Sequence, residues 1–391
     1  MNLNKVKIDL DYINAGVTFI YPLFSGDGVK ILDARVPLTP EIIGRIRAKH
    51  GNLVYYTETA GKAVIPPFRM KLAYNTSREI IEEISRSDKL SKTSFRSAEK
   101  LVEDILNDVT GSDIEAISLL KDLKDYDEYL YNHSVNVGVL SAVFARLLGR
   151  FRHEDMKSLT LGAYLHDIGE RRIDRQLLNK EGRLDVTEFQ RVKRHPQLGY
   201  EIVKQTAGGN PILLQSILFH HEKFNHRGYY ELPYENLPEY PKIVSACDIY
   251  DALTSRRPFR KDPLTPRSAL KSILNSGGSH FDFPLVAGFI NGIGTLVMQG
   301  ESFWDRNDIC ELTTQELALV RDERAGEIMK PKILVFCKFI RTGSALSVKF
   351  YPEPFEIDIA ADADRRITKV VNNQAQIKAI RAKLKERGIL Q

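Results

Sequence analysis

The rhythm of apolar and polar positions divides the chain into stretches of different character. Over residues 1–65, short apolar runs at 17–21, 29–32 and 53–56 are separated by Gly, Asp and Pro, the pattern of strands joined by turns. One helix interrupts them: Thr39 and Pro40 supply an N-cap and a first-turn proline, and Ile42, Ile43 and Ile46 follow at helical spacing. Residues 66–124 are charged and helical. Ile80, Ile81 and Ile84, then Leu101, Ile105 and Val109, mark apolar faces and predict two helices with a break near Ser94. In 125–295, Val137, Leu140, Phe144 and Leu147 form one face of a helix ending at Gly149, and further buried helical runs lie at 159–165, 212–219 and 243–253. Residues 263–289 predict at least two more helices, broken at Gly277-Gly278. Beyond Gly300 short strands return at 316–320, 333–339 and 345–350, and 367–390 reads as a basic amphipathic helix.

The predicted fold is therefore mainly α. A small β-rich domain (1–75) and a helical connector (76–124) precede a helical bundle core (125–299), and a small α/β extension follows (300–391). A length of 391 residues fits two or three such cores. The connector could transmit a signal or simply space two cores, and the N-terminal segment, a sensor or dimerisation module by position, carries no cofactor motif.

Composition changes this picture little. With 43% hydrophobic and 27% charged residues the chain has the make-up of a soluble globular protein. No apolar run reaches the roughly 18 residues of a membrane span, and the N-terminus lacks the apolar region of a signal peptide. The three scattered cysteines, Cys247, Cys310 and Cys337, argue against a disulfide framework and predict a cytoplasmic setting. A net charge of +5 is compatible with an anionic ligand, although an ordinary solvated surface explains it as well. The basic terminal helix, with Lys378, Arg381, Lys383, Lys385 and Arg387, could touch nucleic acid or a membrane surface, or pack through Ile377, Ile380 and Leu384 with a solvated outer face. No helix-turn-helix or zinc-finger pattern is present.

The histidines carry the chemistry. His133 sits on the first core helix, His166-Asp167 follow LGAYL, His195 precedes Pro196, His220-His221 end ILLQSILF, and Asp248 lies in SACDIYDALTS. Each alone has a bland explanation: a core histidine, a common dipeptide, a helix start, a capping accident. Together, five histidines and two aspartates interrupt or end mostly apolar runs, where unpaired ionisable groups are costly unless a metal holds them. Imidazole with carboxylate suits Fe, Mn or Zn better than Ca or Mg. Seven ligands are too many for one catalytic metal with an open position, and suit a pair sharing a carboxylate.

At this point the motifs YNHSVNVGVL, LHDIG, RHP, HHE and DIYDALTSRRPF resemble, in order and spacing, the signature of the HD-GYP phosphodiesterases, bacterial members of the HD superfamily that hydrolyse cyclic di-GMP. The resemblance covers about 170 residues and implies an HD-type helical bundle for the core, with a hydrolase activity. It also implies that His133, His166, Asp167, His195, His220, His221 and Asp248 are metal ligands, with Asp167 bridging two divalent ions, most simply Fe or Mn. Family members with a third metal carry a glutamate where this chain has Tyr129, which points to two. Arg257 and Arg260 match basic positions that approach substrate phosphate, and a guanidinium fork suits phosphate oxygens. The implied partners are cyclic di-GMP or a related nucleotide, signalling proteins that would meet the Gly228-Tyr229 loop, and a second copy in a homodimer, without membrane insertion.

Two motifs depart from the family. HDIGK becomes HDIGE, so Glu170 stands where a lysine would touch the scissile phosphate, with Arg171 and Arg172 as the nearest basic replacements. HHERWDGSGYP becomes HHEKFNHRGYY, with Lys223 for an arginine, His226-Arg227 adding bulk, and Tyr230 for the proline. The intact ligand set points to a cyclic di-GMP phosphodiesterase. The altered rim leaves open a phosphohydrolase for another nucleotide, or a non-catalytic sensor or adaptor.

Overall fold

The computed structural model describes residues 3–10, 22–33, 36–59, 65–111, 129–180, 182–255, 262–298, 302–324, 327–342 and 345–390. The chain forms two compact units: 1–146 with 150–218, and 147–149 with 219–391. The class is as expected, mainly helical with small β-sheets towards either end of the chain.

In the first unit, β1 (Leu3–Asp9), β2 (Leu23–Phe24), β3 (Lys30–Leu32) and, after α1 (Pro40–His50), β4 (Leu53–Thr59) form an antiparallel sheet in the order β1-β4-β2-β3. The strand expected at 17–21 lies outside the described residues. Helix α1 begins as its sequence predicts. Thr39 caps it by accepting the Ile42 amide at 3.2 Å, Pro40 occupies the first turn, and Gly51 ends it at φ 75°. Its buried Ile43 and Ile46 pack with Leu10, Leu23, Leu38, Val54 and Phe68.

The connector is two long helices, α2 (Pro67–Ser87) and α3 (Lys92–Gly111). Their break falls at 88–91, a few residues before the predicted Ser94, because Asp88 takes the left-handed conformation (φ 55°) and closes α2. Phe95, Ala98, Leu101, Val102, Ile105, Leu106 and Val109 are buried along α3. Arg69 of α2 reaches α3 with 2.7 Å contacts to both Asp104 and Asp108. Between these carboxylates the ion pairs lose to burial: desolvation, with help from Asp104, raises the Asp108 carboxyl above its ordinary range despite Arg69.

The helices α4 (Tyr129–Leu148), α5 (His153–Tyr164), α6 (Arg175–Leu178), α7 (Val186–Val192), α8 (His195–Ala207) and α9 (Pro211–Phe219) follow. Helix α3 packs on α5 and α8, and the Tyr164 hydroxyl donates to the Ala73 carbonyl at 3.0 Å, tying α5 to α2. The connector helices are therefore part of the same packed body as the helices carrying His133, His166 and His195.

In the second unit, α10 (Glu239–Thr254), α11 (Pro266–Asn275), α12 (Phe283–Phe289) and α13 (Thr295–Met298) precede β5 (Ile309–Leu312), β6 (Glu316–Asp322), β7 (Lys332–Thr342), β8 (Ala345–Asp358), β9 (Ile367–Val370) and α14 (Gln374–Glu386). The strands form one antiparallel sheet in the order β8-β7-β6-β5-β9. Helix α14 closes it by packing with Ile309, Leu317, Leu319, Phe336 and Cys337 through the buried Leu384, with Ile377 and Ile380 alongside. The expected helix over 367–390 is corrected at its start. Residues 367–370 pair with β5 as β9, and the helix begins only after Asn373 caps it by accepting the Gln376 amide at 3.0 Å. Strand β8 outruns its predicted end at Phe350 despite Pro352 and Pro354, which an edge strand tolerates because no partner needs the missing amides. Trp304 is buried, with its indole N–H donating to the Ile328 carbonyl at 2.6 Å and Phe303 set edge-on to its ring at 4.8 Å.

The three cysteines form no disulfide, and all are buried. Among the described residues, no helix is long and apolar enough to cross a membrane.

Candidate metal centre

Three elements of the first unit converge on Asp167. His133 projects from α4 in a run of buried polar residues, Asn132, Ser134 and Asn136. His166 and Asp167 leave the end of α5, and Asp167 opens a 3-10 turn at Ile168–Arg172. His195 is the first residue of α8, where Pro196 is tolerated because an amide in the first turn has no helical acceptor.

Gly169 makes the convergence possible. A Cβ there would lie 2.0 Å from the His195 carbonyl oxygen and 2.4 Å from the Gly199 nitrogen, both backbone atoms that cannot rotate away. Only glycine lets the turn lie directly on the start of α8, which is what sets Asp167 beside His195.

Asp167 Oδ2 is 3.5 Å from His133 Nε2 and 3.2 Å from His166 Nε2, and Oδ1 is 3.3 Å from His195 Nε2. The ligand atoms of His133, His166 and Asp167 lie within 4.8 Å of one another. His133, His166 and His195 are all at or below 5% exposure.

Their outer nitrogens reveal the proton inventory. His166 Nδ1 lies 2.7 Å from the Ala163 carbonyl and His195 Nδ1 lies 2.9 Å from the Val192 carbonyl. A carbonyl only accepts, so each Nδ1 carries the proton, and in the neutral ring each Nε2 presents a lone pair to the Asp167 carboxylate. Acceptors facing an acceptor in a buried place need a cation between them, whether a proton or a metal. The titration directions agree. Burial alone would raise the Asp167 carboxyl, yet where that cation is a proton, the charge of His166 and hydrogen bonds from the protonated His133, His166 and His195 rings hold it well below the usual carboxylate range. Burial would lower the His195 imidazole, yet the Asp167 carboxylate, joined by Glu170, raises it. Buried imidazoles anchored through Nδ1 and converging with a carboxylate fit a divalent transition metal.

Glu170 follows on the same turn, half-buried. Burial, then the nearby Asp167 charge, pushes its carboxyl upward. Of the two arginines that could replace a lysine here, Arg171 approaches Glu170 at 3.9 Å. Arg172 turns instead to Asp88, donating from Nε at 2.6 Å and from Nη2 at 3.1 Å, and lies 3.6 Å from Glu201.

The other three predicted ligands belong to the second unit. His220 is fully buried and His221 partly so, and their rings stand 4.1 Å apart. Asp248 is buried on α10 at 9% exposure, one turn from the buried Asp251. Arg257 and Arg260 lie outside the described residues. Sequence reasoning passed over Gly169, Gly199 and Glu222. The signal for the first was present in HDIG, but its reason, a close backbone approach, is not a local property. Glu222, the third residue of HHE, is 3% exposed and accepts the amides of Tyr230 at 2.7 Å and Leu232 at 2.9 Å.

The chain is similar to several known proteins. Residues 130–253 match the HD domain family, and this part of the chain is an HD domain. Cyclic di-GMP phosphodiesterase PA4108 of Pseudomonas aeruginosa is 30% identical over 240 residues, covering 61% of this chain and 55% of that protein. A cyclic di-GMP phosphodiesterase of Thermotoga maritima is 26% identical, covering 64% of this chain and 74% of that protein. The 3'3'-cGAMP-specific phosphodiesterase 2 of Vibrio cholerae is 29% identical, covering 48% and 38%. The chain thus spans about half the length of the first of these relatives. Among solved structures, Bd1817, a HDG"Y"P protein from Bdellovibrio bacteriovorus, shares the fold at TM-score 0.51 and 18% identity, over 74% of this chain and all of that one.

Proposed function

We propose that the chain is a dimetal phosphodiesterase that hydrolyses cyclic di-GMP to pGpG, GMP or both. The observation that carries this reading is the set of imidazole nitrogens directed at the Asp167 carboxylate, two of them with their protons committed to backbone carbonyls. The relatives named as cyclic di-GMP phosphodiesterases support it.

In this reading Asp167 would be a ligand shared by two ions, most simply Fe or Mn. His133, His166 and His195 hold them, together with His220, His221 and Asp248, which the motif resemblance adds. When bound, such ions polarise phosphoryl oxygens and make a nucleophilic water available near neutral pH. The protein's own part is positional and electrostatic. The Ala163 and Val192 carbonyls fix the ring orientations of His166 and His195, and burial keeps bulk water from competing for their nitrogens. Arg257 and Arg260 are proposed to meet the phosphate and absorb its developing charge. A cytoplasmic setting is proposed with it, and a second copy of the chain and signalling proteins at the Gly228-Tyr229 loop are its proposed partners.

The test is turnover of cyclic di-GMP by the full chain, purified without oxygen and supplied with Fe(II) or Mn(II), with metal counted on the same sample. Cleavage with about two ions per chain is expected. Two bound ions without cleavage of cyclic di-GMP would move the assignment to a second reading, another cyclic dinucleotide. The 29% identity to a 3'3'-cGAMP-specific enzyme and the altered residues Glu170 and Tyr230 favour that reading. Tight binding without cleavage of any such nucleotide would instead identify a sensor.

A further inference from the structure

The segment after His221 is built as a rigid rim. The buried Glu222 carboxylate is its peg, with one oxygen taken by the Tyr230 amide at 2.7 Å and the other by the Leu232 amide at 2.9 Å. Gly228 passes so close that a Cβ would lie 2.6 Å from Glu222 Cα and 2.7 Å from its carboxylate, so the loop can wrap this peg only with glycine there. His226 and Glu231 are both in the left-handed region, at φ 59° and 58°, and fix the turns on either side. The near end of the loop is tied to a neighbouring turn, where the Phe224 and Asn225 amides donate to the His280 and Ser279 carbonyls, each at 2.9 Å.

This frame presents two aromatic rings. Tyr229 lies over His221, with ring centroids 4.4 Å apart and planes 36° apart. Tyr230 stands edge-on to Phe219, the residue before the histidine pair, at 5.9 Å and 88°, and remains 37% exposed. An exposed ring held in one place, one side chain removed from candidate metal ligands, suits the apolar part of a ligand whose charged part meets metal. In a nucleotide, that apolar part is the base. The motif this segment resembles has proline at the position of Tyr230. Proline carries no amide hydrogen and cannot make the 2.7 Å bond to Glu222.

We infer that Tyr230 is a specificity-determining contact that stacks on a base of the substrate, and that Glu222 is the positioning residue holding the rim that presents it. The inference rests on the nucleotide-hydrolase reading above, and the experiment separates the two. The full chain and its Tyr230→Phe, Tyr230→Ala, Tyr230→Pro and Glu222→Gln variants are compared in three ways: the Kd for cyclic di-GMP by calorimetry both with bound metal and in chelator, KM and kcat with Mn(II), and hydrogen exchange at the 230–232 amides.

Tyr230→Ala should raise Kd and KM by about tenfold with kcat little changed, and Tyr230→Phe should restore both. Glu222→Gln should raise KM and speed exchange at Tyr230 and Leu232, because the NH2 group that replaces one carboxylate oxygen donates and cannot accept the N–H that faced it. Tyr230→Pro should speed exchange at Leu232 and weaken binding beyond Tyr230→Ala. It breaks only one of the two bonds, and so tests the clamp even if Glu222→Gln fails to fold. Wild-type protein that binds without cleaving, but loses affinity in Tyr230→Ala, leaves this inference standing and removes the hydrolase reading alone. Unchanged Kd and KM in Tyr230→Ala overturns the stacking role, and wild-type binding to no cyclic dinucleotide overturns both.

Discussion

Asp167 in the first unit and Glu316 in the second are both carboxylates packed among positively charged or polar groups. Each sits below the ordinary carboxylate range although burial pushes it the other way. The difference lies in who owns the protons. Glu316, 2% exposed, is surrounded by donors: Arg365 Nε at 2.7 Å, the Tyr351 hydroxyl at 2.6 Å and the Thr314 hydroxyl. Every one brings its own hydrogen, so the cluster is complete and reads as structural. Asp167 faces imidazole nitrogens, two with their hydrogens already given to backbone carbonyls, so that cluster is complete only with a cation added. A buried carboxylate is thus not by itself a mark of function; the donors and acceptors around it are.

The comparison breaks most visibly at Asp167. Asp167→Ala should cost at least about 100-fold in turnover and lose bound metal, because the shared anionic ligand is gone. Retained activity with two ions in that variant would falsify the assignment. Glu316→Gln should leave metal content and KM untouched.

Gly169→Ala comes next. Its new methyl meets only backbone, so the turn must lift from α8. A drop in stability of about 1–3 kcal/mol with reduced metal affinity is expected, read by thermal melting with and without Mn(II). A melting curve and metal content matching wild type would mean that the close approach of turn and helix does not position Asp167.

Glu316→Gln sharpens the contrast from the other side, with a stability loss of about 1–3 kcal/mol near pH 7. Arg365 is 24% exposed, so water moderates the pair and the loss stays below that of a fully buried one. The sign with pH follows from the depressed folded pKa. The contribution is whole above the unfolded carboxylate value of roughly 4.3 and disappears as pH falls through the lower folded value. The gap between wild type and variant in urea melts should therefore narrow from about pH 5 towards pH 3, and a constant gap would remove the ion pair from the account.

The smallest effect is expected at Glu170. A lysine there exchanges repulsion of phosphate for attraction, and turnover should rise by about a few fold. An unchanged rate would mean that another group, with Arg171 the nearest, already fills that role, since Arg172 is engaged by Asp88.

Much of this was legible in the residues. The Thr39-Pro40 start of α1, the helix ending near Gly149 and the paired helices around Gly277-Gly278 follow from capping and periodicity, which act within a few residues. The five histidines and two aspartates singled out in the sequence all fall within residues 130–253, the stretch that matches the HD domain family. The pattern failed where a distant partner overrode it. Residues 367–370 look like the start of the last helix and become a strand because β5 offers them a hydrogen-bonding edge.

The sequence alone determined the residue types, the order of the elements and the polar ends of the helices, since these depend on local propensity and on the cost of burying charge. Only the tertiary structure decided that Gly169 must lie on α8, that Glu222 holds the rim through two amides, and that His166 and His195 turn their bare nitrogens towards Asp167. Those outcomes depend on which backbone groups packing brings within hydrogen-bonding distance, and nothing in the spacing of residues along the chain specifies them.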